Sequence, residues 1–349
     1  MFRRSGHGNY AYTAARVKAK KSKILKAEDY NKLLAMSVPE ISRYISEAGY
    51  SKEITDLADE HSGMALLEHA TYGNMASAFR SILSASKGDC KIVVAAYLKE
   101  WDYRNILTIV RGKRSDLSAD EIRRDLVPAG ALKTDDFEKL IQLNTAEDVI
   151  AAGAGMMHVV VPDDAMATFK AENILAPLED HFVKQYYHDL LAAVNANDRP
   201  TTVFRSYVKS VIDTKNVETL LKLKRQNVDA ETIMKYYVSG GKEVDEKAMA
   251  QFAAAADMPA LLTEMQQLKM FADIKDRITP ESSIPQIVNA LTHYLAELSS
   301  AVSAMYPLSV LPVVDYMIHK KTEVTNIRLI AYGANTGLDS EMVKELLVI

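Results

Sequence analysis

A carboxyl and a carboxamide recur in this sequence at a fixed spacing. Asp102-x-x-Asn105, Asp213-x-x-Asn216 and Glu323-x-x-Asn326 each set an acid three residues before an asparagine, with the asparagines 111 and 110 residues apart. Residues three apart share one face of a helix. Such a pair could bind a polar ligand or move a proton. It could equally be a buried polar pair that bonds a neighbouring segment and sets its register. A buried amide has to be satisfied, because leaving it unpaired costs about 1–3 kcal/mol. An active site is usually built once, so three equivalent pairs favour the scaffold reading.

Other chemistry has little support. The histidines are His7, His61, His69, His158, His181, His188, His293 and His319, and none stands in an H-E-x-x-H or beside a cysteine at zinc spacing. His181 and His188 lie near Asp180 and Asp189 but seven residues apart, which is loose for a metal pair. No G-x-x-x-x-G-K-[ST] or G-x-G-x-x-G loop occurs, and Gly153-Ala154-Gly155 is too short to cradle a phosphate. No G-x-S-x-G elbow is present, and Cys90 has no histidine close by in sequence. No catalytic residue, metal or cofactor is expected.

The elements that would position the pairs follow the same register. Twelve residues after each asparagine stands Leu117, Val228 or Leu338, and then a helix-capping residue, Ser118, Asp229 or Asp339. Glu121 completes a capping box with Ser118. Ile122, Ile233 and Val343 follow, then Leu126, Tyr237 and Leu347 four residues later, which predicts a short helix with an apolar stripe. Gly130 and Gly240-Gly241 close the first two copies as helix-end glycines. Upstream, Ser37-Val38-Pro39, Asn144-Thr145-Ala146 and Asp257-Met258-Pro259 read as caps followed by helix starts.

Leu98, Trp101, Asn105 and Ile109 recur at helical spacing, as do Ile212, Asn216 and Leu220. Only Val159-Val160-Val161 reads as a possible extended piece. The expected fold is all-α, with three helical repeats at roughly 30–130, 137–241 and 249–349. A basic segment, 1–29, precedes them, with a helix from about Tyr10 to Lys26 that packs on the repeats.

Composition agrees. Apolar residues make up 48% and charged residues 25% of 349, with 14 glycines and 10 prolines, as expected of a globular helical chain. A net charge of −4 gives no global pull towards nucleic acid. The single cysteine excludes a disulfide framework and fits a reducing compartment. Met1–Gly8 has no apolar core behind its charges, so no secretory signal is expected. The longest apolar stretches, Val149–Val161 and Ala301–Val314, fall short of the roughly 18–20 residues that span a bilayer.

Residues 1–27 carry Arg3, Arg4, Arg16, Lys18, Lys20, Lys21, Lys23 and Lys26 and no acid. Arg16, Lys20 and Lys23 form one helical stripe, with Val17 and Ile24 as apolar positions. The stripe is either a contact for an acidic partner or anionic headgroups, or an ordinary solvated face.

Several segments resemble a known family. Tyr10-Ala11-Tyr12-Thr13-Ala14-Ala15-Arg16-Val17-Lys18 is similar to the opening helix of the C subunit of archaeal A-type ATP synthases. Tyr97-Leu98-Lys99-Glu100-Trp101-Asp102-Tyr103-Arg104-Asn105-Ile106, continuing to Lys113, resembles the most specific stretch of that family, and Leu126-Val127-Pro128-Ala129-Gly130 follows it in the same manner. The resemblance covers essentially the whole chain, and the d subunit of V-type ATPases is the eukaryotic relative.

It implies three similar helical domains in a pseudo-threefold funnel or V shape. It also implies a non-catalytic, peripheral seat on the cytoplasmic face of the membrane. Central-stalk shaft subunits and the proteolipid ring would be the partners, with no membrane span of its own. In the second copy Leu223 stands where the others have Gly112 and Gly333, so a different loop geometry is expected there. The alternative is a free-standing helical repeat adaptor for protein partners; a helical enzyme with an unrecognised site is a third reading.

Overall fold

Every regular element among the described residues is helical, nineteen α-helices and one π-helical turn with no strand. The computed structural model describes residues 9–194, 198–279 and 282–349, so Arg3, Arg4 and His7 lie outside the described residues.

After α1 (Tyr10–Lys21), one order of helices occurs three times. Its first occurrence is α2 (Ala27–Leu33), α3 (Val38–Ile45), α4 (Ser51–Leu57), α5 (Gly63–Ala85), α6 (Gly88–Arg114) and α7 (Ala119–Asp125). Its second is α8 (Thr134–Ile141), α9 (Ala146–Met157), α10 (Asp163–Glu172), α11 (Ala176–Ala193), α12 (Arg199–Arg225) and α13 (Ala230–Lys235). Its third is α14 (Glu246–Ala253), α15 (Met258–Met265), α16 (Lys269–Ile274), α17 (Ile284–Met305), α18 (Leu311–Thr336) and α19 (Ser340–Glu345). The longest helices, α6, α12 and α18, carry the three acid–asparagine pairs.

The chain forms two compact units. One holds Asn9 and Lys52–Ala193, the other Tyr10–Ser51 and Val194–Ile349. In the first, α6 is the central helix and packs against α5, α7, α8, α9 and α11. Leu98, Trp101, Asn105 and Ile109 are all buried, so the expected face is the packed one. Tyr103 stacks on Phe182 with ring centroids 5.1 Å apart. Backbone approaches side chain at Gly153, where a Cβ would lie 2.8 Å from Ile106 Cγ2.

In the second unit α12 packs against α14, α15 and α17, around a cluster that includes Leu220, Ile233, Phe252, Leu261, Phe271 and Leu291. There α18 packs against α17, α19, α1, α2 and α3.

The long helices share one terminal design. Asp116, Asn227 and Gly337 follow α6, α12 and α18 in the left-handed region, at φ 51°, 57° and 71°. The next N–H reaches back to the helix, Leu117 to Gly112 O at 3.0 Å, Val228 to Leu223 O at 3.1 Å and Leu338 to Gly333 O at 3.0 Å. This is a Schellman end, which accounts for the apolar residue recurring at that point. The loop after Leu223 therefore matches the other two.

What differs is helix packing. α7 packs on α6 and α19 on α18, where a Cβ at Gly112 would meet Ile122 Cγ1 at 2.4 Å and one at Gly333 would meet Val343 Cγ2 at 2.6 Å. In the second copy Leu223 is partly buried against the core cluster, and α13 packs chiefly on α14.

Other boundaries also depart from expectation. The basic helix stops at Lys21 rather than near Lys26, because the chain leaves the helix to bring the Leu25 N–H to Glu323, 2.7 Å away. The short helices end at Asp125, Lys235 and Glu345, before Leu126, Tyr237 and Leu347, and the chain beyond them is drawn to the asparagines. The cap of α9 is Thr145, not Asn144; its hydroxyl accepts from the Asp148 N–H at 3.1 Å. Val159–Val161 is a connection, with Val160 exposed.

Gly112→Ala is expected to lose about 1–3 kcal/mol through overpacking, despite alanine's better helix propensity. In an Ile122→Ala background the same substitution should cost less, measured by urea unfolding. Equal losses in both backgrounds would show that the Gly112–Ile122 approach is not the cause.

Candidate functional site

Each repeated asparagine closes a two-point clamp on a passing backbone. Asn105 Nδ2 donates to Val127 O at 2.8 Å, and the Val127 N–H donates to Asn105 Oδ1 at 2.9 Å. Asn216 does the same with Val238, at 2.8 and 2.9 Å, and Asn326 with Val348, at 2.7 and 3.2 Å. All six bonds span 22 residues. A side-chain amide thus replaces a rung of strand pairing for a segment that has no strand beside it.

The caps deliver that segment. Ser118 accepts from the Glu121 N–H at 3.2 Å, Asp229 from the Thr232 N–H at 2.8 Å, and Asp339 from the Glu341 and Met342 N–H groups at 2.9 and 3.2 Å. Each starts a short helix that ends just ahead of the clamped valine.

The acids hold backbone too. Asp102 accepts from the Ala131 and Leu132 N–H groups at 2.9 and 3.1 Å. Asp213 accepts from Lys242, Glu243 and Val244, all within 3.0 Å. Gly130 and Gly241 lie against these carboxylates, where a Cβ would stand 2.0 Å from Asp102 Oδ1 or 2.1 Å from Asp213 Oδ1. These glycines leave room for a buried carboxylate rather than ending a helix. Burial pushes the Asp102 carboxyl up to about 6, against the pull of its two backbone donors. Burial raises Asp213 likewise.

Glu323 has a different setting. It accepts from Leu25 N–H, from Lys320 Nζ at 2.6 Å and from the Tyr50 hydroxyl, and Lys320 also donates to Tyr50 at 2.9 Å. Burial and then the Glu323 charge drive the Tyr50 hydroxyl far above its usual range. Nearby, Asp315 accepts from Lys21, Ser299 and Ser300. Burial pushes its carboxyl up, but the His319 and Lys21 hydrogen bonds outweigh this and hold it at about 2. Tyr50, Lys320 and Asp315 did not stand out in the sequence, because they do not recur as a triplicate pattern, and Lys21 was legible only as one of the basic residues of 1–27.

The basic stripe sits on α1 and the turn after it. Arg16 and Lys23 are exposed and Lys20 is half-buried. Arg16 lies 5.7 Å from the Tyr12 ring centre and donates to its hydroxyl at 3.1 Å. Burial lowers the Lys20 ammonium's affinity for its proton, and the charges of Arg16, Lys320 and Lys23 add to that. Val17 beneath is buried. Among the described residues no group of three or more His, Cys, Asp or Glu side chains could hold a metal ion.

Asn216→Ala leaves the buried N–H and C=O of Val238 without partners and should cost about 3 kcal/mol, read as a fall in Tm. Unchanged stability with loss of partner binding would assign the asparagine to recognition. A second expectation concerns pH. Asp102 ionises near 3.8 in the unfolded chain and at about 6 in the folded protein. Between those values the folded state holds the extra proton, so the stabilisation present below pH 4 is lost as pH rises through 6. The stability of the wild type relative to Asp102→Asn should therefore fall by about 2–3 kcal/mol between pH 4 and pH 7. A difference that stays flat would contradict the raised value.

A family profile for the ATP synthase (C/AC39) subunit matches residues 13–346. The chain is similar to the A-type ATP synthase C subunit of Archaeoglobus fulgidus, with 32% identity over 349 residues, 100% of this chain and 99% of the relative. The protein of the same name from Methanosarcina mazei is 32% identical over 99% of this chain and 95% of its own length. That of Halobacterium salinarum is 30% identical over 99% of each. The matched span takes in the positions of all three acid–asparagine pairs, and the chain belongs to the ATP synthase (C/AC39) subunit family.

Proposed function

We propose that the chain is a non-catalytic central-stalk subunit of an A-type ATP synthase. It would couple the rotor shaft to the membrane proteolipid ring during proton- or sodium-driven ATP synthesis. The observation that carries this reading is the full-length match to relatives named as C subunits of A-type ATP synthases. In the proposal the protein sits peripherally on the cytoplasmic face of the cell membrane, held by surface contacts. No helix among the described residues is long and apolar enough to cross a membrane.

The physical design suits a coupling part. α6, α12 and α18 run 27, 27 and 26 residues, each about 40 Å long, and are tied to their surroundings by internally satisfied polar bonds. The division into an N-terminal segment, 1–29, and repeats at 30–130, 137–241 and 249–349 belongs to the same proposal. So does a role for Arg16, Lys20 and Lys23 as a contact for an acidic partner surface or anionic headgroups.

Co-purification with a proteolipid ring and shaft subunits is the expected result, and the isolated chain should not turn over ATP. A monomer with no affinity for ring or shaft would remove the proposal and favour a free-standing adaptor. Reversing charge at Arg16, Lys20 and Lys23 should weaken assembly in a salt-dependent way while leaving the circular dichroism unchanged. Normal assembly of that variant at physiological salt would assign the stripe to solvent.

A further inference from the structure

The acid of each pair receives one particular N–H, that of the residue immediately ahead of a helix N-cap. For Asp102 it is Leu132, followed by the N-cap Lys133 and α8. For Asp213 it is Val244, followed by Asp245 and α14. These donors lie 30 and 31 residues downstream of their acids. For Glu323 it is Leu25, followed by Lys26 and α2, and it lies 298 residues upstream.

The equivalence continues beyond that bond. Four and seven residues after the N-cap come Phe137 and Leu140, Met249 and Phe252, and, on α2, Tyr30 and Leu33, all buried. The next helix starts in each case from a Ser, Thr or Asp cap, at Ser37, Thr145 and Asp257. Four residues into it stand Ile41, Val149 and Leu261, each fully buried. Packing repeats the pattern: α8 and α9 lie on α6, α14 and α15 on α12, and α2 and α3 on α18.

We infer that α18 carries a docking site for a helix-entry segment, and that its occupant is this chain's own segment Tyr10–Ser51. In the first two copies the occupant arrives as the continuation of the chain. In the third it arrives from the other end of the sequence, so the first and last helices form one cooperative unit. The site makes two accommodations to this remote occupant. Glutamate replaces aspartate, adding one methylene of reach, and Lys320 and Tyr50 supply the further donors that Glu323 uses. A second anchor, with no counterpart at Asp102 or Asp213, joins Lys21 on α1 to Asp315 on α18. α1 is thereby a strap laid over a junction that the other copies make without one. The crossing from Ser51 to Lys52, where the chain leaves this unit for the other, follows Gly49, whose φ of 109° breaks the helix between α3 and α4.

The test is hydrogen exchange with mass spectrometry on the full chain across a denaturant series. Peptides from Ser22–Ile45 and from Leu311–Thr336 should open with the same free energy and the same denaturant slope. Glu323→Gln should raise the exchange of both by at least about tenfold while leaving peptides from 63–193 unchanged. Opening of Ser22–Ile45 at a lower free energy than α18, or an effect of Glu323→Gln confined to α18, would overturn the inference.

A rearranged chain gives a second arm. It begins at Lys52 and carries Tyr10–Ser51 after Ile349 through a flexible linker of roughly ten residues. Protection of Tyr10–Ser51 in that chain is expected, since the site reads the segment and not its place in the sequence. A folded rearranged chain with Tyr10–Ser51 exchanging as an unstructured tail would refute it. Should that chain not fold, the denaturant series on the wild type decides alone.

Discussion

A buried side-chain amide that takes both backbone bonds of one residue is the interaction on which each copy depends. After a short helix the chain must cross the long helix in an extended form, and extended backbone in a helical protein has no strand to pair with. Asn105, Asn216 and Asn326 supply the missing donor and acceptor from one rigid planar group. With that point fixed, the chain in the first two copies is delivered to the acid three residues back on the same helix, and the acid sets where the next helix begins. The energetics are asymmetric: the made bonds contribute modestly, while an orphaned pair of buried backbone groups is expensive.

Electrostatics vary around this constant geometry. Lys99 and Lys320 each stand three residues before the acid of their copy. The Lys99 ammonium pairs with Asp189, which leaves Asp102 to its backbone donors and a raised pKa. Lys320 stays with Glu323, and its ammonium lies 4.2 Å from the Tyr50 ring centre. A buried pair with its lone pairs and protons satisfied tolerates burial that an isolated charge would not. The same scaffold thus holds a carboxylate by dipoles in two copies and by an ion pair in the third.

The chain belongs to the ATP synthase (C/AC39) subunit family, and the acids of its repeated pairs hold structure together. The raised carboxyls, Asp102 and Asp213, occur where backbone is bound. A raised carboxyl pKa often marks a catalytic acid, yet Asp102 spends its hydrogen bonds on Ala131 and Leu132. The differences between copies, such as Leu223 in place of glycine and the basic residues on α1, are where recognition can be local.

Much was legible in the residues themselves. Triplicate spacing located the asparagines, acids and caps, and helical periodicity identified the buried face of α6, because these are local regularities repeated along the chain. The sequence also showed glycine after the first two acids, but its apparent purpose, helix termination, was not the actual one. Only the tertiary structure decided that Gly130 and Gly241 make room for carboxylates, since that depends on a side chain about thirty residues away. Tertiary structure likewise decided that the basic helix stops at Lys21, because a single N–H at Leu25 is claimed by Glu323. Local propensity carries no information about a partner 298 residues off. Which residues are repeated can be read from spacing alone; what each repeat holds is settled by packing between distant segments.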